Sequence, residues 1–319
     1  MTYRPTAFSL LIVAAGLAGT PAAADCTETE TDRITCSGET TAPLLDGRDG
    51  LTVVVESGAE VTVDGGGAIR AEGTGTRFTN GGTVSATGDA VTLGEDAAVS
   101  NNGTVVNTGA DGAGLRIGSG TINNDASIES TGRGGAGVAV GGGNGTLTVL
   151  NLGTIRGETG FLGGAGAEAI DNLGLIEGTG GVALDLGAGD DVLGVGDNSG
   201  IIGTVILGDG DDILDLFFVD PPGFTAPVDG GAGDDLVRLL DYDRDDVAVS
   251  GVVDDILSLN FQSQTLFTSI DLDVTGFERF AFQDGIVGLS DLIAPIPLPA
   301  GGWLLLGALG GLGLLRSRD

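Results

Sequence analysis

Histidine and lysine are absent from the 319 residues, and all thirteen basic residues are arginine. Two cysteines, one methionine and one tryptophan are present, and aromatic residues make up 4% of the chain. Without histidine there is no Ser-His-Asp or Cys-His machinery and no imidazole metal site, and without lysine there is no Schiff-base or P-loop chemistry. Positive charge is too scarce to offset 45 acids, and the resulting −32 repels phosphodiester backbones, so nucleic acid is excluded as a partner. What is abundant is glycine, 61 residues, beside 41% hydrophobic residues and a mean hydropathy of +0.28. That much apolar surface is enough to fold, and its Val, Ile, Leu and Ala predict a thin, layered core.

The ends read as export signals. Arg4, the apolar stretch Ala7 to Gly19 and the small residues Ala22 to Ala24 form a signal peptide over residues 1–24, which makes Asp25 the first mature residue. Cys26 and Cys36 are an isolated close pair, expected to form a disulfide in an exported protein and to staple an N-terminal cap over 25–50. At the other end, three spaced prolines lead into Leu304 to Leu315, and Arg316 and Arg318 close the chain. A helix from Ala300 to Leu315 reaches about 24 Å, a short transmembrane segment with a basic flank on the positive-inside pattern.

Between them lies a repeat. Asn80-Gly-Gly-Thr-Val, Asn101-Asn-Gly-Thr-Val, Asn124-Asp-Ala-Ser-Ile, Asn151-Leu-Gly-Thr-Ile, Asn172-Leu-Gly-Leu-Ile and Asn198-Ser-Gly-Ile-Ile recur at spacings of 21, 23, 27, 21 and 26 residues. Each unit holds short apolar runs of period two bounded by Gly, Asn, Asp and Thr, the signature of strands. The predicted fold is all-β, a parallel β-solenoid over 51–207 of roughly seven coils, each asparagine stacked on the next in an amide ladder. Turn geometry is the plainer reason for asparagine there. Beyond the repeat, alternating strands over 241–293, with most of the eleven phenylalanines nearby, predict a β-rich C-terminal cap that covers the open solenoid end. Within it Asp284-Gly285 is expected to turn a hairpin.

Residues 185–256 contain 18 aspartates, no glutamate and two arginines. Three segments concentrate them: Leu186-Gly187-Ala188-Gly189-Asp190-Asp191-Val192-Leu193, Leu207-Gly208-Asp209-Gly210-Asp211-Asp212-Ile213-Leu214, and Gly230-Gly231-Ala232-Gly233-Asp234-Asp235-Leu236-Val237. Glycines allow a tight turn, a short carboxylate reaches a hard cation, and the apolar residue two positions on anchors the strand. Stacked without a cation, these aspartates place like charges within one strand spacing. Calcium is therefore the expected cofactor over 186–240, with Asp190, Asp191, Asp209, Asp211, Asp212, Asp234 and Asp235 as candidate ligands and two inter-turn sites as the natural count.

Three resemblances follow from these motifs. The asparagine repeat is similar to the passenger β-helices of bacterial surface proteins, including autotransporters, though no translocating barrel follows it. The glycine-aspartate loops resemble the RTX calcium repeat, departing from it in standing 21 and 23 residues apart where RTX nonapeptides are contiguous. The tail over 294–319, with Pro297-Leu298-Pro299-Ala300 preceded by Pro295-Ile296, looks like a VPLPA-CTERM signal of the PEP-CTERM type. That last resemblance implies an exosortase-like sorting enzyme as partner, at least transient membrane anchoring, and delivery to the cell surface or extracellular matrix. The functional expectation is a calcium-stabilised structural or adhesion protein, not an enzyme, offering a repetitive face to exopolysaccharide or other surface glycans. The alternative is a β-helix carbohydrate-active enzyme, a polysaccharide lyase or epimerase. It needs a cationic groove beside a base, whereas Arg70, Arg77, Arg116, Arg133 and Arg156 stand at differing offsets from the repeat asparagines and are not expected to stack.

Overall fold

The computed structural model describes residues 25–197, 199–217, 223–262 and 269–293. They form a parallel β-solenoid in which each turn contributes three strand segments, for example Arg77–Asn80, Thr83–Ala86 and Val91–Leu93. Along one side, ten strands from Arg33–Cys36 to Leu236–Leu239 pair in parallel and enclose nine full turns, about 43 Å at ~4.8 Å per strand. Parallel pairing therefore extends past 51–207 in both directions. The count of roughly seven coils fell short because the first and last rungs lack the asparagine signature that defined the repeat. Arg33–Cys36 already stacks on Thr52–Val55, and Leu236–Leu239 stacks on Arg279–Phe282.

Alternation fixes what faces inward. On the first side, Ile34, Val53, Phe78, Val99, Ile122, Val149, Ile170, Leu193, Leu214, Val237 and Phe280 are register partners in sequence, all buried. The second side contributes Val61, Val84, Val105, Ile128, Ile155, Ile176 and Ile201. The third contributes Ile69, Val91, Leu115, Val138, Phe161, Leu184, Val205 and Val228. Three apolar columns meet along the axis, and many rungs add a second buried residue two positions on, such as Val55, Ile117 or Leu216, so each turn buries several apolar side chains, worth about 1.5–3 kcal/mol apiece. Few large rings are needed, in keeping with the low aromatic content. Early turns make the second and third sides from separate strands. In the turns of Thr154–Gly164, Leu175–Gly187 and Gly200–Asp209 one long strand spans both, with an irregularity between Gly157 and Thr159, and the next turn separates them again into Gly223–Phe224 and Val228–Ala232.

Cys26 and Cys36 form the expected disulfide, joining antiparallel register partners of a hairpin that turns through Asp32 at φ 58°. At the far end Ala248–Val253, Ile256–Gln262 and Ser269–Thr275 pair antiparallel, and Val274 pairs with Val228 of the solenoid. Arg279–Phe282 and Gly285–Gly288 form a hairpin whose pairing closes at Phe282 on Gly285. Its turn is thus Gln283-Asp284, one position earlier than expected, with Gly285 supplying φ +150° as the first paired residue. Among the described residues no helix is long and apolar enough to cross a membrane. The proposed signal peptide, sorting motif Pro297-Leu298-Pro299-Ala300 and transmembrane segment lie outside the described residues.

Candidate functional site: two buried polar columns

Each rung of the first side carries a special position at either end. At the C-terminal end stand Asn80, Asn101, Asn124, Asn151 and Asn172, none of them solvent-exposed. Each Nδ2 donates to the next Oδ1: Asn80 to Asn101 at 2.9 Å, then Asn101 to Asn124, Asn124 to Asn151 and Asn151 to Asn172, each at 2.8 Å. The second amide proton reaches a main-chain carbonyl of the next turn, as from Asn101 to Ser127 at 3.0 Å. Side-chain oxygens also accept the N–H two residues on, as Asn80 does from Gly82 at 3.1 Å. None of the five asparagines has positive φ, so left-handed turn geometry is not why they are there. They end strands and cap turns with their side chains. The glycine two residues on is a matter of space: a Cβ on Gly103 would stand 2.1 Å from the Gly82 oxygen, and one on Gly174 2.2 Å from the Gly153 oxygen. Asn198 lies outside the described residues, and the register partner of Asn172 is Val195, so the ladder stops at five.

The N-terminal end of the same rungs carries the second column. Ala97, Gly120 and Leu147 occupy it in early turns, and Leu147 pairs with Glu168. From there the position is acidic: Glu168, Asp191, Asp212 and Asp235, each 1% exposed or less. The main chain links them. The Glu168 N–H donates to Asp191 Oδ1 at 2.6 Å, the Asp191 N–H to Asp212 Oδ1 at 2.8 Å and the Asp212 N–H to Asp235 Oδ1 at 2.8 Å. The exposed Glu278 ends the run, its Oε2 accepting from the Asp235 N–H at 2.9 Å. One oxygen of each inner aspartate is thereby used, and Glu168 Oε2 accepts the Gly164 N–H of its own turn at 3.5 Å. The other, Oδ2 of Asp191, Asp212 and Asp235 and Oε1 of Glu168, is buried and has no partner. Burial drives these carboxyls towards the neutral form: Asp191 is pushed up to about 8, Glu168 to about 7 and Asp212 to about 6, and Asp235 is raised as well. Neighbouring acids add to the burial effect for the three aspartates.

The predicted ligands thus divide. Asp191, Asp212 and Asp235 stack inward. Asp190, Asp211 and Asp234 form a parallel outer row in solvent, where Asp190 Oδ1 accepts the Asp211 N–H and Asp211 Oδ1 accepts the Asp234 N–H, each at 3.0 Å. Arg279 closes that row on Asp234 at 2.6 Å. Asp209 is exposed, and what it gives its neighbour is its main-chain oxygen, which accepts the Gly189 N–H at 2.8 Å. The turns before the inner aspartates need glycine at two positions each, Gly187 and Gly189, Gly208 and Gly210, Gly231 and Gly233, all at φ between 94° and 155°. Glu168 and Glu278 are members that a search for aspartate passed over.

These residues fit a hard cation. An orphaned buried carboxylate oxygen lacks a positive partner, and calcium takes six to eight oxygens from carboxylates and main-chain carbonyls. Among the described residues no group of three or more His, Cys, Asp or Glu side chains converges. The carboxylates come one per turn, so main-chain oxygens of the glycine turns would have to supply much of a coordination shell.

The arginines were expected not to stack, yet Arg70 and Arg116 share one outward column, separated by Thr92, because turn length absorbs the differing offsets. They make no cationic groove. Arg70 pairs with Glu72 at 2.7 Å, Arg116 grips Asp89 through Nε at 2.7 Å, and Arg156 pairs with Glu177 at 3.0 Å. Burial would raise the Asp89 carboxyl, but Arg116 and the Ala113 N–H hold it below its ordinary value, leaving an ion-paired anion. Compared with known protein families, curated proteins and solved structures, the chain matches none.

Proposed function

We propose that the protein is an exported structural or adhesion rod of the cell surface or extracellular matrix, stabilised by calcium in its C-terminal turns. One observation carries the reading: Asp191, Asp212 and Asp235, fully buried and one turn apart, each present an unpartnered oxygen in front of a glycine turn. Calcium supplies the missing positive charge there and removes the repulsion along the column. Asp190, Asp211 and Asp234 add a negative outer row that draws cations to the same edge. The hairpin at Cys26–Cys36 and the antiparallel strands Ala248–Val253, Ile256–Gln262 and Ser269–Thr275 close the two ends, protecting edges that would otherwise recruit further strands.

Export, calcium loading and sorting form one sequence in this reading. The leader directs the chain to a calcium-containing compartment, where thiols oxidise and the turns fill. The Pro297-Leu298-Pro299-Ala300 tail hands it to an exosortase-like enzyme, and the rod is left facing surface glycans. A protein in which Arg70, Arg116 and Arg156 each pair with a carboxylate and buried polar groups form axial ladders suits a scaffold better than a catalyst. Calorimetry tests it: millimolar Ca²⁺ raises the unfolding temperature of the chelated protein by several degrees, whereas equal Mg²⁺ gives a smaller rise, and no shift with Ca²⁺ overturns the reading.

A further inference from the structure

The acidic column starts one turn earlier than the aspartate loops. Gly163-Gly164-Ala165-Gly166-Ala167-Glu168-Ala169-Ile170 repeats their pattern with glutamate in the carboxylate position and carries both leading glycines. The stacking bears this out position by position. Gly164 pairs with Gly187, Ala169 with Val192 and Ile170 with Leu193, which sets Glu168 against Asp191. A Cβ on Gly187 would stand 2.3 Å from the Gly164 oxygen, and one on Gly189 2.3 Å from the Gly166 oxygen. The later loops repeat those contacts, Gly208 on Gly187 at 2.0 Å and Gly210 on Gly189 at 1.9 Å. Glu168 itself is 1% exposed, and its Oε1 has no partner. One turn earlier the position is Leu147, where no cation has a carboxylate to meet.

Resting on the calcium reading above, we infer that Glu168 is the first ligand of an additional inter-turn calcium site, between the Gly163–Glu168 and Gly187–Asp191 turns. The turn differs in one respect: Gly164 and Gly166 do not adopt the positive φ of their counterparts. The turn therefore presents its backbone differently, and the extra methylene of glutamate gives the carboxylate longer reach from a rung wound in another way. Asp191 then serves two neighbours, Glu168 on one side and Asp212 on the other. The site also marks the boundary of the calcium-dependent part of the rod, since the amide ladder ends in the very rung that Glu168 begins: Glu168 and Asn172 are the two ends of one strand.

Titration of the full-length protein with Ca²⁺ alone, read by calorimetric stoichiometry, tests this with Glu168→Gln and Glu168→Asp. The expected result is one ion fewer in Glu168→Gln than in the parent, restored in Glu168→Asp. A second readout excludes mere misfolding. In chelator Glu168→Gln unfolds at the same temperature as the parent or higher, because a buried carboxyl has been removed, and only its calcium-induced rise is smaller. Unchanged stoichiometry and an unchanged calcium-induced rise in Glu168→Gln overturn the Glu168 site while leaving the aspartate sites standing. A parent that binds no calcium overturns both.

Discussion

The turns before residue 168 and the turns after it are built on the same apolar columns but solve burial of polar groups in opposite ways. In the first half the buried position at the strand end is asparagine, which carries donors and acceptors together, so Asn80 to Asn172 satisfy one another and the neighbouring carbonyls with nothing added. In the second half that position turns apolar, Val195, Leu216 and Leu239 following Asn172 in register. The polar position moves to the other end of the rung, where Glu168, Asp191, Asp212 and Asp235 are acceptors only. A column of acceptors cannot complete itself. If adjacent members were both ionised at ~4.8 Å, their repulsion would be about 3–4 kcal/mol at an effective dielectric of 20. One half is thus self-sufficient, and the other is conditional on protons or cations.

The largest effect separates the halves outright. Chelating calcium is expected to cost about 5 kcal/mol if two sites are held at a hundredfold excess over their dissociation constants. The loss should be regional: amide hydrogen exchange rises across 186–240 and stays unchanged across 80–150. Uniform loss of protection in both halves breaks the comparison. Next comes the reverse experiment. Asn124→Ala removes the donor to Asn151 and the acceptor for Asn101, leaving a buried amide unpaired and a small cavity, and is expected to cost about 2–4 kcal/mol. The same loss should appear with and without calcium, as checked by denaturant unfolding in Ca²⁺ and in chelator.

The repeat was legible because sequence and geometry share a period. An asparagine every 21 to 27 residues with a glycine or alanine two positions on has few explanations besides a stacked turn, and the ladder found between Asn80 and Asn172 follows from it. The first and last turns were not legible. Arg33–Cys36 and Arg279–Phe282 join the stack through backbone pairing and inward residues such as Ile34 and Phe280, and neither carries the asparagine that marked the repeat. The inward and outward aspartates could not be told apart either, since Asp190 and Asp191 are adjacent and only strand alternation decides which is buried. Glu168 was passed over because its chemistry was sought in one residue type, although its glycines match the loop pattern more fully than those around Asp191. Arg70 and Arg116 show the converse: column membership depends on the length of the intervening turns, which offsets from asparagine do not encode.

The smallest of the three effects concerns protons. In the metal-free protein the folded values of the inner carboxyls lie above the ordinary 3.8 of aspartate and 4.5 of glutamate, Asp212 near 6, Glu168 near 7 and Asp191 near 8. A group whose value rises on folding stabilises the folded state fully below its unfolded value and loses that contribution as pH climbs through the folded one. In chelator, therefore, the unfolding temperature is expected to fall by a few degrees between pH 5 and pH 8, because the acceptor column is forced to ionise without a partner. Repulsion among the many exposed acids pushes in the same direction, so the diagnostic is a substitution that touches the column alone. Asp191→Asn keeps an oxygen for the Glu168 N–H and cannot ionise; it should flatten the slope over that range in chelator and weaken the response to calcium. If the slope is identical in parent and variant, the pH dependence belongs to the surface and the buried column is not its source. With calcium present the parent should show the opposite trend, since the ion binds the ionised carboxylates and protons compete with it, so that rising pH stabilises the C-terminal turns while the asparagine-laddered turns, having nothing to titrate in their ladder, stay indifferent.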